Sequence, residues 1–201
     1  SHATTVTERM AQLSKETLIK ASDLVFNFSE EAFNEVCELE NRVDHYEDKL
    51  GTYLVKLSNS YLIHRDSQVL SVLLHSIGDF ERLSDHAVTI SKAAEEMYKK
   101  GMKFSEHAQQ EIDEYIVQVK KIMDATISCF KNNDLVIAGS IFPMEEVAEK
   151  QSADARKNHI RRLREGKCTI ELGFVQSDLL TSMESIVDHC SNVAETVITY
   201  R

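Results

Sequence analysis

Two stretches of the sequence, 103 residues apart, share one pattern and indicate the fold. Residues 80–86 read Phe-Glu-Arg-Leu-Ser-Asp-His, and residues 183–189 read Met-Glu-Ser-Ile-Val-Asp-His. In both stretches a Glu precedes an Asp by four positions, a spacing that places the two carboxylates on one face of a helix. A motif repeated at this distance indicates two copies of one helical unit within the chain.

A second acidic pair precedes each copy, at an offset of 105 residues between the two halves. The sequence therefore predicts four carboxylates in each half, contributed by two helices. We take all eight as candidate metal ligands. They are Glu40, Asp44, Glu81 and Asp85 in the first half and Glu145, Glu149, Glu184 and Asp188 in the second.

Composition indicates an all-helical protein. The chain has 201 residues, 42% of them hydrophobic, with only 6 Gly and 1 Pro, so it can bury a core and is poor in turn-forming residues. A net charge of -10 argues against nucleic acid as a partner, because a phosphate backbone requires a basic surface. Four scattered Cys without a C-x-x-C pair indicate a reducing compartment, and no apolar run approaches the roughly 20 residues that span a bilayer. We expect a soluble cytoplasmic segment.

Apolar residues recur at helical spacing in six segments. We predict helices over about 5–28, 29–63, 67–100, 105–131, 134–166 and 177–201, with Gly101 ending the third. Pro143 is expected to cause a kink or a new helix start before Glu145. Residues 167–174, which include Gly173, are predicted to be a connection. The fold class predicted is all-α, with two tandem three-helix bundles over residues 1–101 and 102–201.

The acidic pairs border the apolar faces of their helices, so they face a neighbouring helix. Glu40 follows Val36 by four positions, and Glu81 follows Ile77 by four. Two like charges 4 Å apart repel by about 1 kcal/mol in water and about 4 kcal/mol at an effective dielectric of 20. Four carboxylates at such distances must therefore protonate, turn outward or share a cation. Iron, manganese, magnesium or zinc would suit these oxygen ligands. A solvated charged face is the simpler alternative.

Histidines and catalytic motifs add little to this picture. A His directly follows Asp44, Asp85 and Asp188, but a neighbouring residue is turned by about 100° on a helix, so we expect hydrogen bonds beside the site from these rings. The chain carries no phosphate loop and no nucleophile motif. We therefore predict no catalytic residue, no organic cofactor and no enzyme activity.

Several short segments in both halves have a combined pattern that is typical of one family. They are residues 39–46 (Leu-Glu-Asn-Arg-Val-Asp-His-Tyr), 50–58 (Leu-Gly-Thr-Tyr-Leu-Val-Lys-Leu-Ser), 77–86 (Ile-Gly-Asp-Phe-Glu-Arg-Leu-Ser-Asp-His), 159–163, 166, 178–180 and 184–189. Together they resemble the PhoU family, most nearly the PhoU-like cytoplasmic tail of bacterial sodium/phosphate cotransporters. The resemblance covers nearly the whole chain. It implies two three-helix bundles, regulation of phosphate uptake, and multinuclear metal clusters bound by the eight carboxylates named above.

The second half departs from the family pattern. Glu149 stands where the family tends to have Asp, Ser185 replaces the Arg that the first half has at Arg82, and Pro143 lies two residues before Glu145. The first set of carboxylates therefore matches the family better than the second.

The function predicted is a metal-binding, non-enzymatic domain that controls phosphate uptake, as the tail of a sodium/phosphate cotransporter at the cytoplasmic face of the membrane. Its expected partners are the membrane portion of the same or another protein, a sensor kinase or phosphate transporter, or a second copy of the chain. Two alternatives are a free-standing PhoU-type regulator and a metal-free helical interaction module. A dimetal carboxylate oxidase is disfavoured because the chain lacks the Glu-x-x-His motif of such centres.

Overall fold

In the computed structural model, which describes residues 2–60 and 64–200, these residues form six α-helices and no strand. The predicted all-α class is confirmed. The helices are α1 (His2–Leu24), α2 (Glu30–Ser58), α3 (His64–Lys100), α4 (Glu106–Asn132), α5 (Leu135–Arg164) and α6 (Ile170–Thr199). None of these helices is both long and apolar enough to cross a bilayer.

The helices pack as two three-helix bundles. Helices α1, α2 and α3 contact one another, as do α4, α5 and α6, and α3 and α6 form the most extensive helix pair between the two groups. Phe80 and Phe130, one from each half, meet edge to face with ring centroids 5.0 Å apart. Burying a side chain of this size contributes about 1.5–3 kcal/mol. The apolar core thus continues from one bundle into the other, and the division at residues 101 and 102 stays a prediction.

Local sequence explains most helix ends. Ser29 and Ser105 are N-caps whose hydroxyls accept the backbone N–H three residues on, which satisfies a donor that the first helical turn leaves free. Gly101 ends α3 at a φ of 63°, where a side chain would be strained. The N–H of Met102 then bonds the carbonyl of Met97 at 2.9 Å, so the predicted glycine cap is confirmed.

The first helix ends earlier than its apolar pattern suggested. Helix α1 stops at Leu24, and the chain turns through Val25, whose N–H bonds the carbonyl of Ser22 at 3.2 Å. The predicted extension to residue 28 was wrong, because Ser29 must be extended to cap α2. Helix α2 was predicted to reach about residue 63, and this was also wrong, because the helix ends at Ser58 with Asn59 as its C-cap. Residues 61–63 themselves lie outside the described ranges.

The sequence also misplaced two features of the second half. Helix α5 runs without interruption through Pro143, so of the two expected outcomes the new helix start was wrong and the kink stays a prediction. The carbonyl that loses its N–H donor belongs to Gly139, four residues earlier, and that residue is exposed to solvent. Helix α6 begins at Ile170, not near residue 177, and Gly173 lies inside it, against the ring of His159.

Candidate metal centre

The four candidate ligands of the first half converge at the interface between α2 and α3. Each helix contributes a pair spaced by one turn, beside core positions such as Val36 and Phe80 that are fully buried. We call this set the first quartet; its members are Glu40, Asp44, Glu81 and Asp85. Because the core fixes the rotation of both helices, the two pairs are held towards each other at the border of the bundle.

The quartet has the geometry of a small cation site. One carboxylate oxygen from each of its four residues lies within 4.8 Å of the corresponding oxygens of the other three. Asp85 is exposed and the other three are half-buried, so a cation could reach the cluster from solvent. Four carboxylates at this spacing form a hard, oxygen-only donor set, which fits iron, manganese or magnesium and accommodates zinc. Metal binding here stays a prediction.

Without a cation the first quartet retains protons. Burial, followed by hydrogen bonds to Asp85 and Asp44, raises the pKa of Glu81 to about 9. Burial and hydrogen bonds to the same two aspartates raise the pKa of Glu40 to about 7. The cluster therefore does not hold four full negative charges at neutral pH, because mutual repulsion and partial desolvation favour the neutral acids.

A fifth carboxylate borders the quartet and was missed by the sequence analysis. Burial raises the pKa of Glu47, and the negative charges of Asp48, Asp44 and Asp85 raise it further. Glu47 follows Asp44 by three positions on α2, so both lie on the same face of the helix. That spacing was the signal available in the sequence.

The candidate ligands of the second half have other partners. We call Glu145, Glu149, Glu184 and Asp188 the second quartet. Glu184 Oε1 accepts hydrogen bonds from Arg156 Nε at 3.2 Å and Nη2 at 3.0 Å, and also from the hydroxyl of Ser152. Glu145 accepts a hydrogen bond from Ser191, while Glu149 and Asp188 are exposed. In the ranges 2–60 and 64–200 the second quartet does not form a converging group like the first.

The internal repeat explains this difference. At the 105-residue offset that relates Glu40 to Glu145, Ser152 corresponds to Glu47 and Arg156 corresponds to Gly51. The second half therefore has a hydroxyl where the first half has a carboxylate, and a guanidinium where the first half has a glycine. Arg156 is further held by Ser177 Oγ at 3.3 Å and Thr181 Oγ1 at 3.0 Å. Arg156 thus neutralises Glu184, whereas within residues 2–60 and 64–200 no lysine or arginine forms a salt bridge with Glu81.

Two of the motif histidines lie between the halves. The rings of His86 and His189 stack with centroids 5.7 Å apart. His189 Nδ1 is 2.9 Å from Asp79 Oδ1, and Asn192 Nδ2 donates to the same oxygen at 3.4 Å. Burial, followed by the proximity of His189, lowers the pKa of His86 although Asp85 opposes the shift. His189 makes a hydrogen bond of the kind expected from these rings, here between α6 and α3, whereas His86 makes a ring contact.

Comparison with known proteins agrees with the repeat. The sequence matches the family described as PhoU domain over residues 7–94 and again over residues 112–197. It is 21% identical over 192 residues to the phosphate-specific transport system accessory protein PhoU homolog 1 of Thermotoga maritima, a match that covers 94% of this chain and 82% of that protein.

Two solved structures share the fold. PhoU from Pseudomonas aeruginosa superposes with a TM-score of 0.92 at 20% identity, covering 99% of this chain and 95% of the other. The phosphate transport system regulatory protein PhoU from Streptococcus pneumoniae superposes with a TM-score of 0.86 at 17% identity, covering 99% and 93%.

Proposed function

The chain belongs to the PhoU family, and we propose that it is an accessory regulator of phosphate transport whose first quartet binds a metal ion. The convergence of four carboxylate oxygens within 4.8 Å is the observation that carries the metal part of this proposal. The regulatory part is supported by the family match and by curated relatives that are named accessory proteins of phosphate-specific transport systems.

The relatives support an accessory protein better than the cotransporter tail that the sequence had suggested. Those from Thermotoga maritima, Synechocystis and Pseudomonas aeruginosa all carry the accessory-protein name. The partner that we propose is accordingly a component of a phosphate transport system. Regulation would follow if that component binds one conformation of this chain better than another, because only a difference in affinity shifts an equilibrium.

A bound metal would connect α2 and α3. Its positive charge would replace the protons that Glu40 and Glu81 retain and would offset the repulsion among the four carboxylates. Glu47 lies close enough to the quartet to add to its negative field. The metal would therefore rigidify the surface formed by these two helices, which makes that surface a candidate for contact with the partner.

We propose that the chain acts by binding and not by catalysis. Dimetal oxidases enclose their metals and keep coordination positions open for the reactants. The first quartet instead lies at the edge of a helix pair, and Asp85 is exposed. This placement supports a structural or regulatory ion.

Metal content tests the first part of the proposal. Purified protein is stripped with a chelator, reloaded separately with iron, manganese, magnesium or zinc, and analysed by elemental mass spectrometry and anomalous scattering. We expect metal at the first quartet of the wild type and its loss in the double variant Glu81→Gln/Asp85→Asn. Glu38→Gln, which removes an exposed carboxylate from α2, should retain the metal. Equal metal content in all three proteins would contradict the assignment.

A cellular assay tests the regulatory part separately. A bacterial host lacking its own PhoU protein, with a reporter of phosphate starvation, is complemented with the wild type or with the double variant. We expect the wild type to restore reporter repression in high phosphate. Failure of the wild type to change the reporter or the uptake of labelled phosphate would count against a role in phosphate transport, whatever the metal content.

A further inference from the structure

A second site candidate lies in the other half of the molecule. A cavity of about 350 Å³ is present where the connection between α3 and α4 meets the connection between α5 and α6. None of its lining residues belongs to either quartet. Cavities of about this size are typical of small-molecule sites.

The lining of this cavity is basic, although the chain as a whole carries a net charge of -10. It includes Lys103, Arg162 and Lys167, and none of the described residues that line it carries a carboxylate. Arg162 Nη1 bonds Glu111 at 2.9 Å, and Lys167 pairs with Glu165 at 3.0 Å. Because Lys167 and Glu165 are largely solvent-exposed, their pairing contributes little and leaves Lys167 available to an anion. The cavity therefore favours a negatively charged ligand.

Two buried side chains of the lining have polar atoms without a partner. Arg162 is 7% exposed and Gln176 is 2% exposed. Arg162 Nη2 and Gln176 Oε1 make no hydrogen bond, whereas the Gln176 amide nitrogen donates to the carbonyl of Ala155 at 3.3 Å. A buried polar group left unpaired destabilises the folded chain. Both residues line the cavity, so a ligand bound there that accepts a hydrogen bond from Arg162 and donates one to Gln176 would pair both atoms once the two side chains rotate towards it.

Two helix N-termini open onto the same cavity. Ser105 caps α4 and Thr169 caps α6, and both residues line the cavity. The free N–H groups and the helix dipole make the start of a helix favourable for an anion. Here this preference adds to three basic side chains, one of which, Arg162, carries an unpaired buried donor.

We propose that this cavity binds a small phosphate species, either inorganic phosphate or the phosphate monoester of a metabolite. Hydrogen phosphate offers negative oxygens to Arg162, Lys103 and the helix starts, and its remaining O–H can donate to Gln176 Oε1. Sulfate has the same shape but carries no O–H near neutral pH. The unpaired acceptor on Gln176 therefore favours phosphate over sulfate. The cavity is separate from the first quartet, so this ligand needs no bound metal.

Titration of metal-free protein tests the proposal directly. Chelator-treated protein is titrated with inorganic phosphate, sulfate and glucose 6-phosphate, and ¹H–¹⁵N NMR reports which backbone amides shift. We expect saturable shifts at the starts of α4 and α6, with phosphate or glucose 6-phosphate binding more tightly than sulfate. Tighter binding of glucose 6-phosphate would identify a phosphorylated metabolite, and tighter binding of phosphate would identify the free ion.

Matched variants separate the cavity from a general charge effect. Lys103→Glu reverses an exposed charge in the lining, and Lys121→Glu makes the same change on the exposed side of α4. Lys103→Glu should weaken binding about tenfold, and Lys121→Glu by less than about twofold. Gln176→Leu should reduce the preference for phosphate over sulfate. Absence of saturable binding by all three anions, or equal weakening by the two lysine variants, would overturn the proposal.

Discussion

Replacing Glu81 by Gln should stabilise the metal-free protein. Among the residues that the structure describes, no arginine or lysine forms a salt bridge with the four carboxylates of the first quartet. The pKa of Glu81 rises to about 9 because of burial and its acidic neighbours. Gln has the shape of the protonated acid and cannot ionise. At pH 8 the unfolded wild type has released the proton of Glu81, so folding must take that proton up again, which costs free energy. Glu81→Gln provides a neutral side chain without this cost.

The magnitude follows from the charges and their exposure. Two like charges 4 Å apart repel by about 1 kcal/mol in water and about 4 kcal/mol at an effective dielectric of 20. Because the quartet is half-exposed and screened by solvent, we expect a gain near the lower limit, about 1–2 kcal/mol at pH 8. For a chain of this size that gain corresponds to a rise in Tm of about 2–8 °C.

The assay is thermal unfolding in a chelator at pH 8, followed by circular dichroism. Glu184→Gln is the informative control, because Glu184 occupies the equivalent position of the repeat and is bonded to Arg156 and Ser152. That change should lower stability by about 1 kcal/mol, since it leaves a guanidinium without its charged partner. Glu38→Gln, on the exposed face of α2, should change stability by less than about 0.5 kcal/mol. A metal-free Glu81→Gln protein that melts at or below the wild-type temperature would refute the reasoning.

Three further predictions concern pH, metal and helix contact. In the folded protein the pKa values of Glu40, about 7, and Glu81, about 9, exceed the values of the unfolded chain. The metal-free protein should therefore lose stability from pH 5 to pH 9, and the difference in Tm between Glu81→Gln and wild type should vanish near pH 4.5. Thermal melts across this pH range check both expectations. A metal present at 100 times its Kd should stabilise the wild type by about 2.7 kcal/mol and leave Glu81→Gln/Asp85→Asn unchanged, as measured by urea unfolding with and without metal. Gly173→Ala should destabilise the wild type by about 1 kcal/mol, because the added methyl group would overlap the ring of His159. In a His159→Ala background the same change should stabilise the protein by a similar amount, because Ala has the higher helix propensity, and a double-mutant cycle measures both effects.

The features predicted correctly from sequence are those that depend on neighbouring residues. The starts of α2 and α4 depend on hydrogen bonds to the N-caps Ser29 and Ser105, and the end of α3 depends on the positive φ of Gly101. All three lie within one turn of the residues involved, so local residue type is enough to place them. The start of α6 was misplaced because Gly173 was interpreted as a loop signal. Its role depends on His159 of a different helix, and that contact cannot be inferred from local sequence.

The carboxylate sets show the same division. The spacing of Glu81 and Asp85 on α3 and of Glu40 and Asp44 on α2 predicts which faces they occupy, and the structure brings these four together. The pairing of Glu184 with Arg156 was missed, because Arg156 lies on another helix and its target is fixed only by the packing of α5 against α6. Aligning the two repeats places Arg156 opposite Gly51, which was the available sequence signal.

The asymmetry between the halves bears on why the first quartet exists. Both halves place acidic residues at the same helix border, and the second half shows that one arginine on the neighbouring helix can neutralise such a residue. The first half has Gly51 at that position and Glu47 where the second half has Ser152, so its side chains increase the repulsion instead of relieving it. A cluster that destabilises the free protein is consistent with a site whose compensating charge comes from outside the chain. Introducing that charge from within, by Gly51→Arg, should therefore compete with metal binding at the first quartet while raising the Tm of the metal-free protein.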